Sequence, residues 1–311
     1  MKVYKDISEF SGTDNTVVTV GSFDGLHKGH MDIINRVVRE AEKSSLKSCV
    51  VTFDPHPRTV VTSNFKHSVL TLFEEKQTLL EKAGVDNLVI INFTSGFSSK
   101  SYLEFIEEYL IKKLRTKKIV IGYDHKFGKN RLGDKEKLRQ ITNSSGVEVI
   151  EVNAVKSNSD EISSTKIRNA ISDGDIEKAN KFLGRYYTVT GIIVKGAQRG
   201  RKLGYPTANI LADEKKLIPG AGVYVSRIFL GKNVYFGLTN IGLRPTFNDT
   251  DVFMIETNIF DFEKDIYGEK LTVEFIGRIR DEIRFGNADM LIEQIKKDKE
   301  ECLKYIKNLT N

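Results

Sequence analysis

Residues 16–30, TVVTVGSFDGLHKGH, constrain the fold of this chain more than any other stretch. Val17, Val18, Thr19 and Val20 form a β-branched run that predicts a strand. The run breaks at Gly21-Ser22-Phe23-Asp24-Gly25. An amphipathic helix is expected from about Lys28 to Lys43, with Ile33, Ile34, Val37, Val38 and Ala41 as its apolar stripe. His27 and His30 thus fall three apart where a glycine-bearing turn feeds a helix, a spacing that sets both imidazoles on one side. Gly29 between them leaves no side chain to block a ligand approaching the backbone. The N–H groups of a first helical turn and its positive dipole end attract phosphate. A lone His-x-x-His is often only a pair of surface residues. Strand, glycines and helix all falling where phosphate binding needs them favours a ligand site.

The whole stretch resembles the HxGH motif of the nucleotidyltransferase superfamily, and its flanks, GSFDGLHKGH, resemble the flavin adenylyltransferase branch. The resemblance implies adenylyl transfer, in which a substrate phosphate attacks the α-phosphorus of ATP and pyrophosphate leaves. It gives His27 and His30 the catalytic role, and it makes Gly21, Ser22, Phe23, Asp24 and Gly29 nucleotide contacts. Such chemistry needs positioning and charge stabilisation more than a covalent nucleophile.

A chain of 311 residues exceeds the usual single core, so two domains are expected. Its 40% hydrophobic and 29% charged residues describe an ordinary globular protein. The start, MKVYKDISEF, lacks the apolar core of a signal peptide, and no apolar run approaches membrane-spanning length. Cys49 and Cys302 lie far apart and make no CxxC pair, which argues against a disulfide scaffold or zinc site and fits a reducing cytoplasm. The net charge of +6 is spread evenly: residues 1–183 carry 28 Lys/Arg against 25 Asp/Glu, and residues 184–311 carry 20 against 17. A nucleic-acid binder concentrates its positive charge. No nucleic-acid or membrane partner is therefore expected.

Strand and helix alternate through the first part. Strands are expected at Ser48–Phe53, Leu88–Phe93, Lys118–Ile121 and Val147–Val152, with helices at Leu72–Ala83, Lys100–Leu114 and about Asp134–Thr142. Repeated βα units with short apolar strands predict a doubly wound parallel sheet, whose ligands gather beyond the strands' carboxyl ends. After a polar stretch comes Ile162-Ser163-Ser164-Thr165-Lys166-Ile167-Arg168, where consecutive hydroxyls mark a helix start. Beside the first motif it reads as a second phosphate-facing helix N-terminus, with Arg168 reaching ATP. The string resembles the ISSTxIR signature of the same flavin enzymes. That implies nucleotide contacts at Ser163, Ser164 and Thr165, and a catalytic role for Arg168 at the ATP phosphates. Phe53-Asp54-Pro55-His56-Pro57 offers flat apolar surfaces suited to an isoalloxazine ring, which makes Phe53, Pro55 and Pro57 flavin candidates. Gly122–Gly128 resembles a family loop that commonly has Phe where His125 stands, and it adds Asp124 and Phe127.

Past Leu183-Gly184-Arg185 the pattern changes. Short alternating segments at Tyr187–Val194, Gly222–Leu230, Val234–Asn240, Val252–Phe260 and Lys270–Ile279 predict an antiparallel sandwich or barrel, closed by a helix from Asp289 to about Ile306. No GxxxxGK[ST] phosphate loop occurs. Pro206-Thr207-Ala208-Asn209 alone reads as a turn. It is followed by Gly222-Val223-Tyr224, Asn240–Phe247, Glu256–Phe262 and Arg280-Asp281-Glu282, and together these resemble riboflavin kinase, a β-barrel kinase built around a PTAN motif. The resemblance implies that Thr207 and Asn209 hold Mg²⁺ and the ATP phosphates, with Gly200 and Lys202 as further nucleotide contacts. It also makes Glu256 the catalytic base and Arg280 a flavin contact. Strand alternation puts Glu256 with Met254, Asn258 and Phe260 on one face, opposite Phe253, Ile255 and Ile259. Asn258 stands where the family frequently has histidine.

Together these readings predict an adenylyltransferase domain over residues 1–183 and a riboflavin kinase barrel over 184–311. The order of motifs resembles the bifunctional riboflavin kinase/FMN adenylyltransferase family. Riboflavin, FMN and ATP are then the expected small-molecule partners, with Mg²⁺ as cofactor. Two other classes stay open: an RNA-acting enzyme of nucleotidyltransferase fold with the barrel as binding module, and a non-catalytic flavin-binding regulator. The even charge argues against the first, and His27, His30, Arg168, Thr207, Asn209 and Glu256 argue against the second.

Overall fold

A computed structural model describes residues 1–61, 68–123, 133–153, 155–157, 160–196, 200, 203–244 and 252–310. It divides into two compact units, Met1–Ser164 and Thr165–Asn311.

In the first unit the described strands are β1 (Lys2–Tyr4), β2 (Thr16–Val20), β3 (Lys47–Asp54), β4 (Asn87–Asn92), β5 (Thr116–Gly122) and β6 (Glu148–Val152), with a small hairpin of β7 (Lys156–Ser157) and β8 (Asp160–Glu161). β1 to β6 form one sheet in the order β1-β4-β3-β2-β5-β6, and every pairing in it is parallel. All five residues of β2 are buried, as its unbroken β-branched run requires of a strand covered on both faces. Val17 packs with Val37 and Ala41 of helix α1 (Lys28–Lys43) on one face, and Val18 and Val20 join Val51, Ile91, Ile119 and Ile121 on the other. Each such aliphatic side chain contributes roughly 1.5–3 kcal/mol by leaving water. The chain runs outward from β2 through β3 to β4, then returns to β5 on the other flank. That reversal opens a crevice beyond the carboxyl end of β2, where the residue 21–30 turn lies.

Smaller helices complete this unit: α2 (Pro57–Val61), α3 (Phe73–Lys82), α4 (Ser95–Ser98), α5 (Tyr102–Glu104) and α6 (Lys135–Asn143). α3 starts where Glu75 accepts the Leu72 N–H at 2.9 Å, and it stops at Gly84 with φ +81°. The single helix expected over Lys100–Leu114 is instead α5 running into a π-helical stretch, Phe105–Lys113. The wider winding brings Phe105 and Leu110, five apart, onto the buried side. β1 was not expected, being three residues long and opening on a lysine; pairing with β4 makes it a strand.

Helix α7 starts at Ser164, the last residue of the first unit, and ends at Ser172 in the second, where α8 (Ile176–Leu183) follows, capped by Asp175 and ended by Gly184 at φ +75°. Then follow β9 (Tyr187–Val194), β10 (Ala208–Ala212), β11 (Gly222–Leu230), β12 (Asn233–Arg244), β13 (Val252–Ile259), β14 (Lys270–Arg280) and helix α9 (Ala288–Thr310). These strands close an antiparallel barrel in the order β10-β13-β12-β11-β14-β9, which settles the sandwich-or-barrel alternative. β10 covers half of the stretch that composition marks as a turn. Pairing with β9 and β13 overrides the local signal. α9 packs across the barrel's outer face, with Cys302 buried beside Val223, Val225, Leu238 and Phe260.

Candidate active sites

At the end of β2 the backbone turns sharply, with Phe23 at φ +47°, Gly25 at +87° and Leu26 at +40°. Left-handed geometry at two non-glycine residues is uncommon and needs support from outside the turn. His27 is the N-cap of α1: its Nδ1 accepts the His30 N–H at 3.3 Å, so the neutral ring carries its proton on Nε2. The His27 ring is buried and stacks on His30, centroids 3.7 Å apart and planes 17° apart. Phe23 meets His30 edge-on at 5.3 Å. A Cβ at Gly29 would lie 3.3 Å from the His27 ring, so Gly29 makes room for that imidazole. The first turn of α1 has no acidic residue to oppose an anion.

Ser22 and Asp24 hold this turn to its surroundings. Asp24 is buried, and its Oδ1 accepts the N–H groups of Leu70 at 2.8 Å and Thr71 at 3.2 Å. Ser164 Oγ donates to the Asp24 carbonyl at 2.9 Å, which ties one hydroxyl of the ISST string to the turn. Ser163 precedes it in irregular backbone, while Thr165 and Arg168 lie on α7 among residues of the second unit. Gly21 leaves the end of β2, where a Cβ would lie 3.0 Å from the Phe23 ring. Sequence reasoning missed Lys76, which is buried and donates to the Ser22 carbonyl at 2.7 Å and to Thr52 Oγ1 at 3.1 Å. Its signal was a charge in an apolar stripe, Leu72-Lys76-Leu80 at helical spacing.

Phe53, next to last in β3, lies within an aromatic group, 5.4 Å from Phe93 edge-on and 6.3 Å from Phe97. Pro55 is exposed, and half-buried Pro57 opens α2. Asp124, Phe127 and Lys202 lie outside the described residues.

The barrel gathers its candidates by register. Asn209 on β10 pairs with Glu256 on β13, Glu256 with Asn240 on β12, Asn240 with Val223 on β11, and Val223 with Arg280 on β14. Paired residues point to one face. These five therefore form a row across the barrel, and all of them line a cavity of about 610 Å³. Gly200, Thr207, Met254 and Asn258 line it too, as do Leu291, Ile295 and Asp298 of α9. The cavity thus lies between the barrel's outer face and α9. Met254, Glu256 and Asn258 share it as strand alternation predicts, and Ile255, Thr257 and Ile259 are buried on the other side.

Asn209 is buried, and its Oδ1 has no hydrogen-bond partner among the described residues. A Cβ at Gly196 would come within 2.3 Å of its carboxamide, so that glycine is the seat of the Asn209 side chain. At Gly200 a Cβ would lie 2.3 Å from the Tyr205 carbonyl, where the chain doubles back toward Thr207. Asn258 donates from Nδ2 to the Pro206 carbonyl at 2.8 Å and so tethers the PTAN segment to β13. Arg280 forks onto the buried Asp298 carboxylate, Nε–Oδ1 2.9 Å and Nη2–Oδ2 2.7 Å, which fixes α9 over the cavity. Asn240 and Glu282 also line the cavity; both stand in the motif strings that resemble riboflavin kinase, where neither carried an assigned role. Only the ladder register brings Asn240 into line. Among the described residues no group of three His, Cys, Asp or Glu is gathered to hold a metal.

Comparison with known proteins covers both units. The family model described as FAD synthetase matches residues 10–166, and that described as riboflavin kinase matches residues 183–306. The bifunctional riboflavin kinase/FMN adenylyltransferase of Listeria monocytogenes is 37% identical over 297 residues, covering 95% of this chain and 94% of its own. Its counterpart in Bacillus subtilis is 35% identical over 298 residues, 94% and 93% of the two chains. That of Escherichia coli K12 is 32% identical over 301 residues, 96% of each. A solved structure described as a macrolide-efflux protein from Streptococcus pneumoniae superposes with a TM-score of 0.90 at 34% identity, over 96% of this chain and 97% of that one. Among the described residues no helix is long and apolar enough to cross a membrane.

Proposed function

We propose a division of labour that starts from one fact: the chain belongs to the bifunctional riboflavin kinase/FMN adenylyltransferase family. It phosphorylates riboflavin with ATP to give FMN, and it adenylylates FMN with ATP to give FAD and pyrophosphate. The kinase step belongs to the barrel and the adenylyl step to the parallel-sheet part, with 1–183 and 184–311 as the functional halves. The observation that carries the reading is that each unit has its own phosphate-handling constellation: the histidine-capped helix in one, the row from Asn209 to Arg280 in the other.

In the kinase step Glu256 accepts the proton of the ribityl 5′-hydroxyl as its oxygen bonds to the γ-phosphorus of ATP and ADP departs. Apolar walls at Val223, Met254, Leu291 and Ile295 suit the flat flavin ring and exclude water. Arg280, held by Asp298, keeps α9 in place over that ring and borders the flavin. Thr207 and the unpartnered Asn209 Oδ1 fit Mg²⁺, a hard cation that takes one or two protein oxygens and otherwise substrate phosphates. When bound it neutralises charge on the phosphates. Gly200 lets the backbone turn tightly beside Thr207, and Lys202 joins the nucleotide contacts on its motif.

In the adenylyl step an FMN phosphate oxygen attacks the α-phosphorus of ATP, and the bond to the bridging oxygen of the β-phosphate breaks. His27 offers Nε2–H, and His30 stacks against it at the N-terminus of α1, where donors meet developing negative charge. Gly21, Ser22, Phe23, Asp24 and Gly29 shape this turn; Ser163, Ser164, Thr165 and Arg168 contact nucleotide on the strength of their motif. Phe53, Pro55 and Pro57, with Asp124 and Phe127, border the FMN. The setting is the cytoplasm, the partners are small molecules, and nucleic acid is not among them.

The test is incubation with riboflavin, ATP and Mg²⁺, resolving FMN and FAD by chromatography. Riboflavin should give FMN and then FAD, and supplied FMN should give FAD. Absence of both products from a folded preparation overturns the reading.

A further inference from the structure

We propose that Lys76 is a positioning residue for adenylyl transfer, its ammonium holding the Ser22 carbonyl so that the turn bearing His27 and His30 keeps its phosphate-receiving shape. The inference rests on the reading of that turn as the adenylylation site. Three groups meet there: Lys76 Nζ reaches the Ser22 carbonyl at 2.7 Å and Thr52 Oγ1 at 3.1 Å, and Thr52 Oγ1 in turn donates to the Ser22 carbonyl at 3.3 Å. Thr52 belongs to β3 and Lys76 to α3, so the clamp joins two elements to the first peptides of the turn. Directly after it the backbone enters left-handed geometry at Phe23. A conformation of that kind persists only where surroundings over-determine it.

Packing alone does not explain a lysine here. Lys76 is about 8% exposed, a burial at which an ammonium costs free energy and a methionine does not. Burial pushes its pKa down to about 8, against the opposing pull of Asp24 in the turn and Asp54 at the end of β3. The clamp therefore carries its charge at neutral pH and loses it as pH rises through that value. The contribution of Lys76 to stability moves the other way. Between about 8 and about 10.5 the unfolded chain binds a proton that the folded chain does not, so this group's contribution to stability rises with pH. Deprotonation of Lys76 therefore does not itself unfold the chain across that window, and thermal melts separate a loss at the site from an unfolding.

The experiment measures adenylylation of supplied FMN and phosphorylation of riboflavin by the full chain from mildly acidic to alkaline pH, with thermal melts alongside. In the parent, adenylylation should fall as pH passes about 8 while the melt does not fall with it. Lys76→Met should lose about a hundredfold in kcat/KM for adenylylation, the reach of a small misplacement. It should also lose the alkaline limb and keep its riboflavin phosphorylation. Lys76→Arg should restore part of the rate and move the limb upward. Parent-like adenylylation in Lys76→Met, or a limb near 8 that survives the substitution, overturns the proposal. If Lys76→Met does not fold, the parent profile decides, and a parent without that limb overturns it. A parent that adenylylates no FMN overturns the site reading, and with it the role of Lys76.

Discussion

At the end of β2 the groups proposed to meet phosphate follow one another along the chain, and the turn's own backbone geometry aims them. On the barrel, Asn209, Glu256, Asn240 and Arg280 come from four different strands and meet only because the ladders are in register. The first site is a conformation and the second is a row. A conformation is disturbed by anything that lets the turn relax, including residues that never touch ligand. A row keeps its frame when one side chain changes, because backbone pairing and not the side chain holds the position. Substitutions on the barrel should therefore separate chemistry from structure more cleanly than substitutions in the turn.

The largest separation is expected at Glu256. Glu256→Gln keeps size and shape but removes the basic oxygen, and should cut FMN formation by about two to four orders of magnitude. Riboflavin binding and adenylylation of supplied FMN should stay near parent values. Paired initial rates, one from riboflavin and one from FMN, read the outcome. Joint loss of both activities in a folded protein breaks the contrast between the sites. Next comes His30→Ala, which should lower FAD formation by about a hundred- to a thousandfold while FMN accumulates. Because His30 also stacks on the helix cap, this variant should melt earlier than Glu256→Gln. Equal melting would make the turn as tolerant as the row.

That difference also governs what could be read from the amino-acid order. The turn was legible because strand, glycines, histidines and helix are contiguous, and so were the parallel sheet and five of the six strands of the barrel. Lys76 was not, since only folding carries α3 to the Ser22 carbonyl. The pairing of Asn240 with Glu256 was hidden in the same way, because a ladder partner is set by register and not by local pattern. β10 looked like a turn because Pro206 and Thr207 punctuate it, and its strand character comes wholly from neighbours on either side. The break into π-helix at Phe105 is likewise a packing outcome that helical periodicity does not announce.

A smaller effect tests how far the row tolerates a change beneath it. Gly196 lies under the Asn209 carboxamide, where a Cβ would come within 2.3 Å. Gly196→Ala should swing that side chain out of line and raise the KM for Mg²⁺–ATP in the kinase step, with a loss of about tenfold in kcat/KM, the size of one hydrogen-bond-scale interaction. Asn209→Ala should reproduce it, and the two changes together should cost little more than either alone, because they remove the same contact. Additive losses in that cycle would show that Gly196 acts elsewhere.

The smallest effect is expected at Asn258, and it asks what the departure from histidine does. Asn258 Nδ2 donates to the Pro206 carbonyl at 2.8 Å, so its contribution is to hold the PTAN segment against β13 rather than to move a proton. A neutral tether of this kind is worth about one hydrogen bond, and Asn258→Ala should reduce the kinase rate by about two- to tenfold. Asn258→His keeps an N–H donor in reach of the same carbonyl and should stay within about twofold of the parent at neutral pH, well inside the range of a single hydrogen bond. The imidazole adds a charge change near pH 6.5 that asparagine lacks. Rates of FMN formation by the two variants, measured on both sides of that pH, distinguish the roles. If Asn258→His matches the parent and Asn258→Ala does not, the position is a tether. A gain of tenfold or more in Asn258→His would show that the imidazole takes part in the chemistry, and that the row does more at this position than hold its neighbour in place.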